Sequence, residues 1–133
     1  MNNGDGTFTE QLTQAMRSIS LSSMGADMAD LNNDGYPEIF VTDMLPASDE
    51  RLKQTSTFES YNVFQSKLQQ DYYHQYMRNT LQWNHGNGTF SEISQLAGVH
   101  ATDWSWGALL ADFDNDGLRD IFVCNGIYKD VTD

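Results

Sequence analysis

The chain has 133 residues, 39% hydrophobic and 20% charged, enough for a single modest domain. Seven basic against nineteen acidic side chains give a formal net charge of −12, which excludes a partner held through phosphates: nucleic acid and anionic membrane surfaces both select basic patches. One cysteine excludes an internal disulfide or a thiolate metal cluster. No run of about 18 apolar residues is long enough to span a bilayer, and the polar start MNNGDGTFTE has no signal-peptide pattern.

An internal repeat organises the chain. NGDGTFTE at Asn3–Glu10 matches HGNGTFSE at His85–Glu92, and GADMADLNNDGYPEIFV at Gly25–Val41 matches GALLADFDNDGLRDIFV at Gly107–Val123; both pairs stand 82 residues apart. Two separate blocks sharing one offset point to a duplicated structural unit. The chain then holds one full repeat and part of the next, as a fragment of a longer protein would.

Taken in chain order, the predicted elements are mostly strands. A half-copy opens at Thr7–Glu10 after the Gly4-Asp5-Gly6 turn. Gly25–Asp30 and Glu38–Thr42 read as two short strands around an acidic Gly-containing turn. Residues 46–79 have no copy elsewhere. Phe58, Tyr61, Phe64, Leu68 and Tyr72 recur there at helical spacing, so two helices divided near Gln54–Thr57 are expected, the first capped by Ser48 ahead of Asp49 and Glu50. The aromatic stripe is expected to pack on the sheet; a groove lined by Tyr72, Tyr73 and Tyr76 is the less favoured reading. Thr80–Trp83 and Thr89–Ile93 flank a Gly-Asn-Gly turn, and Gly107–Asp112 and Asp120–Cys124 repeat the first strand pair. Four short strands per unit is the arrangement of a propeller blade.

The acidic loops carry the chemistry. Asp30, Asn32, Asp34 and Glu38 place oxygens at loop positions 1, 3, 5 and 9, and Asp112, Asp114, Asp116 and Asp120 do the same. Tyr36 and Leu118, at position 7, would offer only a backbone carbonyl. A hard cation such as Ca²⁺ takes six to eight oxygens, and alternate side chains of a curled loop can converge on one. The sixth-position glycines Gly35 and Gly117 permit that curl. An EF-hand is excluded, because its twelfth position needs a bidentate Glu and here holds Val41 and Val123. Two bound Ca²⁺ would bring the formal charge from −12 to −8. The alternative, solvated metal-free turns, is weakened by the second copy. The turns at Asn3–Gly6 and His85–Gly88 hold at most one acid each and read as plain hairpin turns.

No catalytic constellation emerges. His74, His85 and His100 are scattered, Cys124 reads as a buried thiol in a strand, and Trp104 and Trp106 read as packing residues between blades. Asp27, Asp43, Asp71 and Asp103 are the acids left outside the loops should glycan chemistry be sought.

With these residues in view, the sequence resembles the FG-GAP/VCBS repeats of integrin-type β-propellers, whose signature D-x-[DN]-x-D-G-x-x-[DE] occurs here twice. More narrowly, NGDGTFTE…GADMADLNNDGYPEIFV, DMLP, YYHQYMRNTLQ and TDWSWGALLADFDNDG resemble repeat proteins with an ASPIC/UnbV domain from Bacteroidetes-type bacteria. The resemblance implies a mainly β fold: part of a calcium-binding propeller, with one full four-stranded blade, two half blades and a helical insertion. Residues 1–45 would end one blade and begin the next, 46–79 form the insertion, and 80–133 complete that blade and start another. It further implies two Ca²⁺ sites and, as partners, the remaining blades and a protein or glycan ligand. The expected function is a binding or adhesion module outside the cell or in the bacterial envelope, at the periplasm or outer-membrane surface. The alternative is a scaffold segment of a polysaccharide-degrading enzyme.

Overall fold

The computed structural model describes residues 1–55 and 59–127. The fold is mainly β with few helices. In chain order the elements are α1 (Leu12–Ala15), β1 (Ile19–Ser20), β2 (Ala26–Ala29), β3 (Glu38–Val41), α2 (Asp49–Thr55), α3 (Tyr61–Gln69), β4 (Gln75–Tyr76), β5 (Thr80–Asn84), β6 (Phe90–Glu92), β7 (Ser105–Ala111) and β8 (Asp120–Asn125).

Strands β2, β3, β5 and β6 form one antiparallel sheet in that order. Strands β7 and β8 form a separate antiparallel pair, with a register shift between Ser105 and Gly107. Strands β1 and β4 pair in parallel, Ile19 with Gln75 and Ser20 with Tyr76. No sheet closes on itself among the described residues.

The β7–β8 pair lies against the four-stranded sheet, β7 beside β2. The core is the seam between them. Phe40 and Leu81 from the sheet meet Leu110 from β7, bordered by Ala29, Leu31 and Ile93 on one side and Ala108, Ile121 and Val123 on the other. Strand alternation explains the selection: in β8, Ile121 and Val123 turn toward the sheet while Asp120, Phe122 and Cys124 turn away. Cys124 is therefore exposed, which corrects the expectation of a buried thiol.

The repeat makes equivalent positions swap roles. Phe40 faces the β7–β8 pair and is 0% exposed, whereas its counterpart Phe122 is 53% exposed. Leu110 is 7% exposed against the sheet, and its counterpart Met28 is 58% exposed. Each repeat thus presents one face forward and the opposite face backward.

Between β3 and β5 stand α2 and α3. Ser48 caps α2 as the sequence predicts: its Oγ accepts from Arg51 N at 3.3 Å and its carbonyl from Leu52 N at 3.0 Å. Ser60 caps α3, its Oγ accepting from Val63 N at 3.4 Å. Arg51 ties α2 to the segment before β7 through Asp103, at 2.6 Å. The α3 stripe meets a sheet only in part. Phe64 stacks on Tyr76 of β4, with ring centroids 6.0 Å apart, and touches His74, while Tyr61 and Tyr72 remain exposed. Helical spacing marks one face of α3, and only the part of that face around Phe64 is covered by β4. Phe58, the first residue of that stripe, lies outside the described residues, as do two positions of the predicted helix boundary.

Candidate metal centres in two equivalent loops

Strand β2 ends at Ala29 and β3 begins at Glu38, so the first loop is pinned at both ends by ladder bonds. Inside it the side chains accept from the backbone in a fixed order. Asp34 N donates to Asp30 Oδ1 and to Asn32 Oδ1, each at 3.1 Å. Gly35 N donates to Asp30 Oδ2 at 2.8 Å, and Tyr36 N to Asp34 Oδ1 at 2.8 Å. Leu31 N donates to Glu38 Oε2 at 2.8 Å. Short Asx side chains reach the backbone a few residues on, which is why these residue types hold such a curl.

The second loop repeats this network bond for bond. Asp116 N donates to Asp112 Oδ1 and Asp114 Oδ1 at 3.1 Å, Gly117 N to Asp112 Oδ2 at 2.9 Å, Leu118 N to Asp116 Oδ1 at 2.8 Å, and Phe113 N to Asp120 Oδ2 at 3.0 Å. The left-handed residues match as well: Asn33 and Asn115 at φ 58° and 61°, Gly35 and Gly117 at 88° and 90°. The minor turns also correspond. Thr7 N and Oγ bond Asp5 Oδ1, as Thr89 N and Oγ bond Asn87 Oδ1. The Thr7 hydroxyl, then its N–H, holds the Asp5 carboxyl below the usual range.

The second loop brings Asp112, Asp114 and Asp116 together, with one carboxylate oxygen from each within 4.8 Å of the others. Asp120 stands at the loop's far end, outside that group, bonded to Phe113 N. Two carboxylates about 4 Å apart repel by roughly 1 kcal/mol in water and about 4 kcal/mol at the effective dielectric of a protein surface. In the first loop Asn32 replaces one acid, and its Nδ2 donates to Asp34 Oδ2 at 2.8 Å, relieving that repulsion internally. Tyr36 and Leu118 donate N–H groups into their loops while their side chains stay half-exposed.

The donor set fits a hard cation. All side-chain donors are oxygens, and a carboxylate oxygen holding one N–H retains a second acceptor direction. Glu38 adds a specific sign: the side chain is fully buried, Oε2 is engaged by Leu31 N, and Oε1 has no hydrogen-bond partner. An unpartnered buried carboxylate oxygen is costly unless something positive meets it.

The acids outside the loops are dispersed. Asp27 Oδ2 accepts from Leu110 N at 2.7 Å and Oδ1 from Met28 N at 2.9 Å; the Leu110 bond, then the Met28 bond, holds its carboxyl below the usual range. Asp43 is buried and accepts from Ser20 Oγ at 2.6 Å, Ser22 N at 3.0 Å and Met44 N at 2.7 Å. Asp103 pairs with Arg51, and exposed Asp71 ends the α3 segment at φ 63°. Tyr73 Oη donates to Met16 O at 2.7 Å and its ring meets His74 edge-on. His85 pairs with Ser91 Oγ at 2.8 Å, and the Trp106 indole, half-exposed, donates to Gly126 O at 2.7 Å. Two residues carry more than sequence reasoning gave them: Asp27, which braces β7, and Asn33, whose Nδ2 crosses to Gly117 O at 3.1 Å. Nothing in the linear sequence marks either contact, since each spans more than 80 residues.

The FG-GAP-like repeat matches residues 1–41 and 71–123. The chain therefore belongs to the FG-GAP-like repeat family, a non-catalytic repeat type. The stretch between the matched segments, 42–70, contains α2 and α3. No curated protein and no solved structure matches the chain. Among the described residues no helix is long and apolar enough to cross a membrane.

Proposed function

We propose that the chain is a calcium-stabilised repeat module of a larger secreted or cell-surface protein, acting in binding or adhesion rather than catalysis. The carrying observation is the convergence of Asp112, Asp114 and Asp116 oxygens within 4.8 Å on a backbone network repeated in the first loop. Asp112, Asp114, Asp116 and Asp120, with the Leu118 carbonyl, would hold one Ca²⁺; Asp30, Asn32, Asp34 and Glu38, with the Tyr36 carbonyl, would hold the other. The ion would offset part of each loop's negative charge and lock the turn between paired strands, so that binding stabilises the fold.

The forward face bearing Phe122 and the backward face bearing Met28 support a propeller reading, in which neighbouring blades cover both. The four-stranded sheet would be one blade, with the helical segment inserted between its second and third strands. Sites of this kind commonly work at 10⁻⁴–10⁻³ M, calcium levels found outside cells, which favours an extracellular or bacterial-envelope setting. The ASPIC/UnbV kinship belongs to the same proposal, as does a protein or glycan ligand on the assembled propeller.

The test is calorimetric titration of the chain with CaCl₂, paired with thermal melting, on wild type and Asp116→Ala. Saturation should raise the melting temperature by several degrees, since a ligand at 100 times its Kd contributes about 2.7 kcal/mol. Asp116→Ala should lose most of one site's heat, and MgCl₂ should have little effect because Mg²⁺ retains its waters. Unchanged melting up to about 100 mM CaCl₂, roughly 100 times the weakest Kd of that range, would refute the reading.

A further inference from the structure

We infer that Asn33 couples the two loops, so that filling one raises the affinity of the other for Ca²⁺; this rests on the calcium reading above. Asn33 lies between Asn32 and Asp34, and Gly117 between Asp116 and Leu118. The Asn33 Nδ2 to Gly117 O bond, 3.1 Å, therefore joins the ligand-bearing tips of both loops. The roots are joined too, through Asp27 Oδ2 and Leu110 N at 2.7 Å.

The peptide units at this contact do double duty. The Gly117–Leu118 peptide accepts from Asn33 through its oxygen and donates through Leu118 N to Asp116 Oδ1. Fixing its plane thus fixes the N–H that positions Asp116. On the other side, the Asn33–Asp34 peptide donates through Asp34 N to both Asp30 and Asn32. Ordering the first loop around an ion sets the Asn33 backbone, at φ 58°, and with it the reach of the Asn33 amide. Order gained in one loop is order the other need not supply, which is positive coupling, and it is reciprocal. Asn115 has the matching backbone, φ 61°, so the conformation belongs to the loop, while the amide's cross-loop reach is what Asn33 adds.

The experiment is a calcium titration of the 133-residue chain followed by the amide NMR shifts of Gly35 and Gly117, which report the loops separately. The second loop is disabled by Asp114→Asn with Asp116→Asn. Asn33→Gly removes the amide yet keeps the left-handed backbone accessible; Asn33→Asp keeps the shape and removes the donor. Disabling the second loop should weaken calcium at Gly35 by about two- to tenfold more with Asn33 than with Asn33→Gly, the span of one net hydrogen bond. Asn33→Asp should behave like Asn33→Gly. An equal penalty in all three backgrounds overturns the coupling while leaving two calcium sites; no shift at either glycine in wild type overturns the calcium reading itself. Circular dichroism of each variant checks that the fold is retained.

Discussion

Gly25 and Gly107, equivalent glycines of the two repeats, meet where the sheet touches the β7–β8 pair. A Cβ on Gly25 would stand 2.7 Å from Gly107 Cα and 2.9 Å from Trp106 O, whereas a Cβ on Gly107 would meet nothing within 4 Å. The obstructing atoms are backbone and cannot swing aside. Gly25→Ala should therefore cost about 1–3 kcal/mol, the usual penalty for overfilling a packed seam. Gly107→Ala should stay within roughly 0.5 kcal/mol. Urea unfolding of both variants measures the difference, and equal costs would remove Gly25 from the seam.

The two phenylalanines at one repeat position provide a second contrast. Phe40 is fully buried beside Leu81 and Leu110, and Phe122 is half-exposed on the opposite face. Phe40→Ala should lose about 3–5 kcal/mol. Phe122→Ala, in this chain, should fall within roughly 1 kcal/mol of wild type, near the surface-substitution range. Comparable losses would mean that Phe122 is covered in solution.

Asp27 gives the chain an acid-sensitive brace. Its carboxyl is held below the usual range chiefly by the Leu110 N–H, so the unfolded state binds the proton more readily and stability rises with pH through that interval. The contribution is complete above the ordinary carboxylate value, about 3.9, and disappears as pH falls through the lowered native value. In chelator, Asp27→Asn should flatten the dependence of unfolding free energy on pH below about 4. Asp27→Ala, which removes the acceptor of the Leu110 N–H, should lower stability even at neutral pH. An unchanged acid slope in Asp27→Asn would contradict the brace.

Glu38 and Asn32 should make the two loops unequal. The first loop carries three acids among its side-chain donors and the second carries four. Asn32→Asp should raise calcium affinity at Gly35 and lower stability in chelator, because a third aspartate then joins Asp30 and Asp34 with no amide between them. Glu38→Gln should reduce the calcium-dependent gain in melting temperature. Differential scanning calorimetry with and without CaCl₂ reads both effects.

The curl of each loop was legible in the sequence because its determinants are local. Aspartates at alternate positions before a glycine specify the same Asx-bonded turn wherever they stand, and the 82-residue offset of the two copies carries over into hydrogen bonds. The cap at Ser48 and the strands flanking each loop obey equally short-range rules. The β1–β4 pair and α1 were not legible, since two-residue strands and a single helical turn leave no periodicity. Cys124 is exposed where burial is expected because alternation defines two faces without saying which one meets a neighbour. Tyr61 and Tyr72 mislead for the same reason: helical spacing identifies a stripe, and only tertiary structure decides how much of it is covered.

The most direct measurement is a crystal structure grown in millimolar CaCl₂. The expected result is one ion per loop, bound at about 2.3–2.6 Å by Asp112, Asp114, Asp116 and Asp120 in the second loop, and by Asp30, Asn32, Asp34 and Glu38 in the first. Loops that hold only water under those conditions, with their carboxylates turned to solvent, would contradict a calcium-stabilised module.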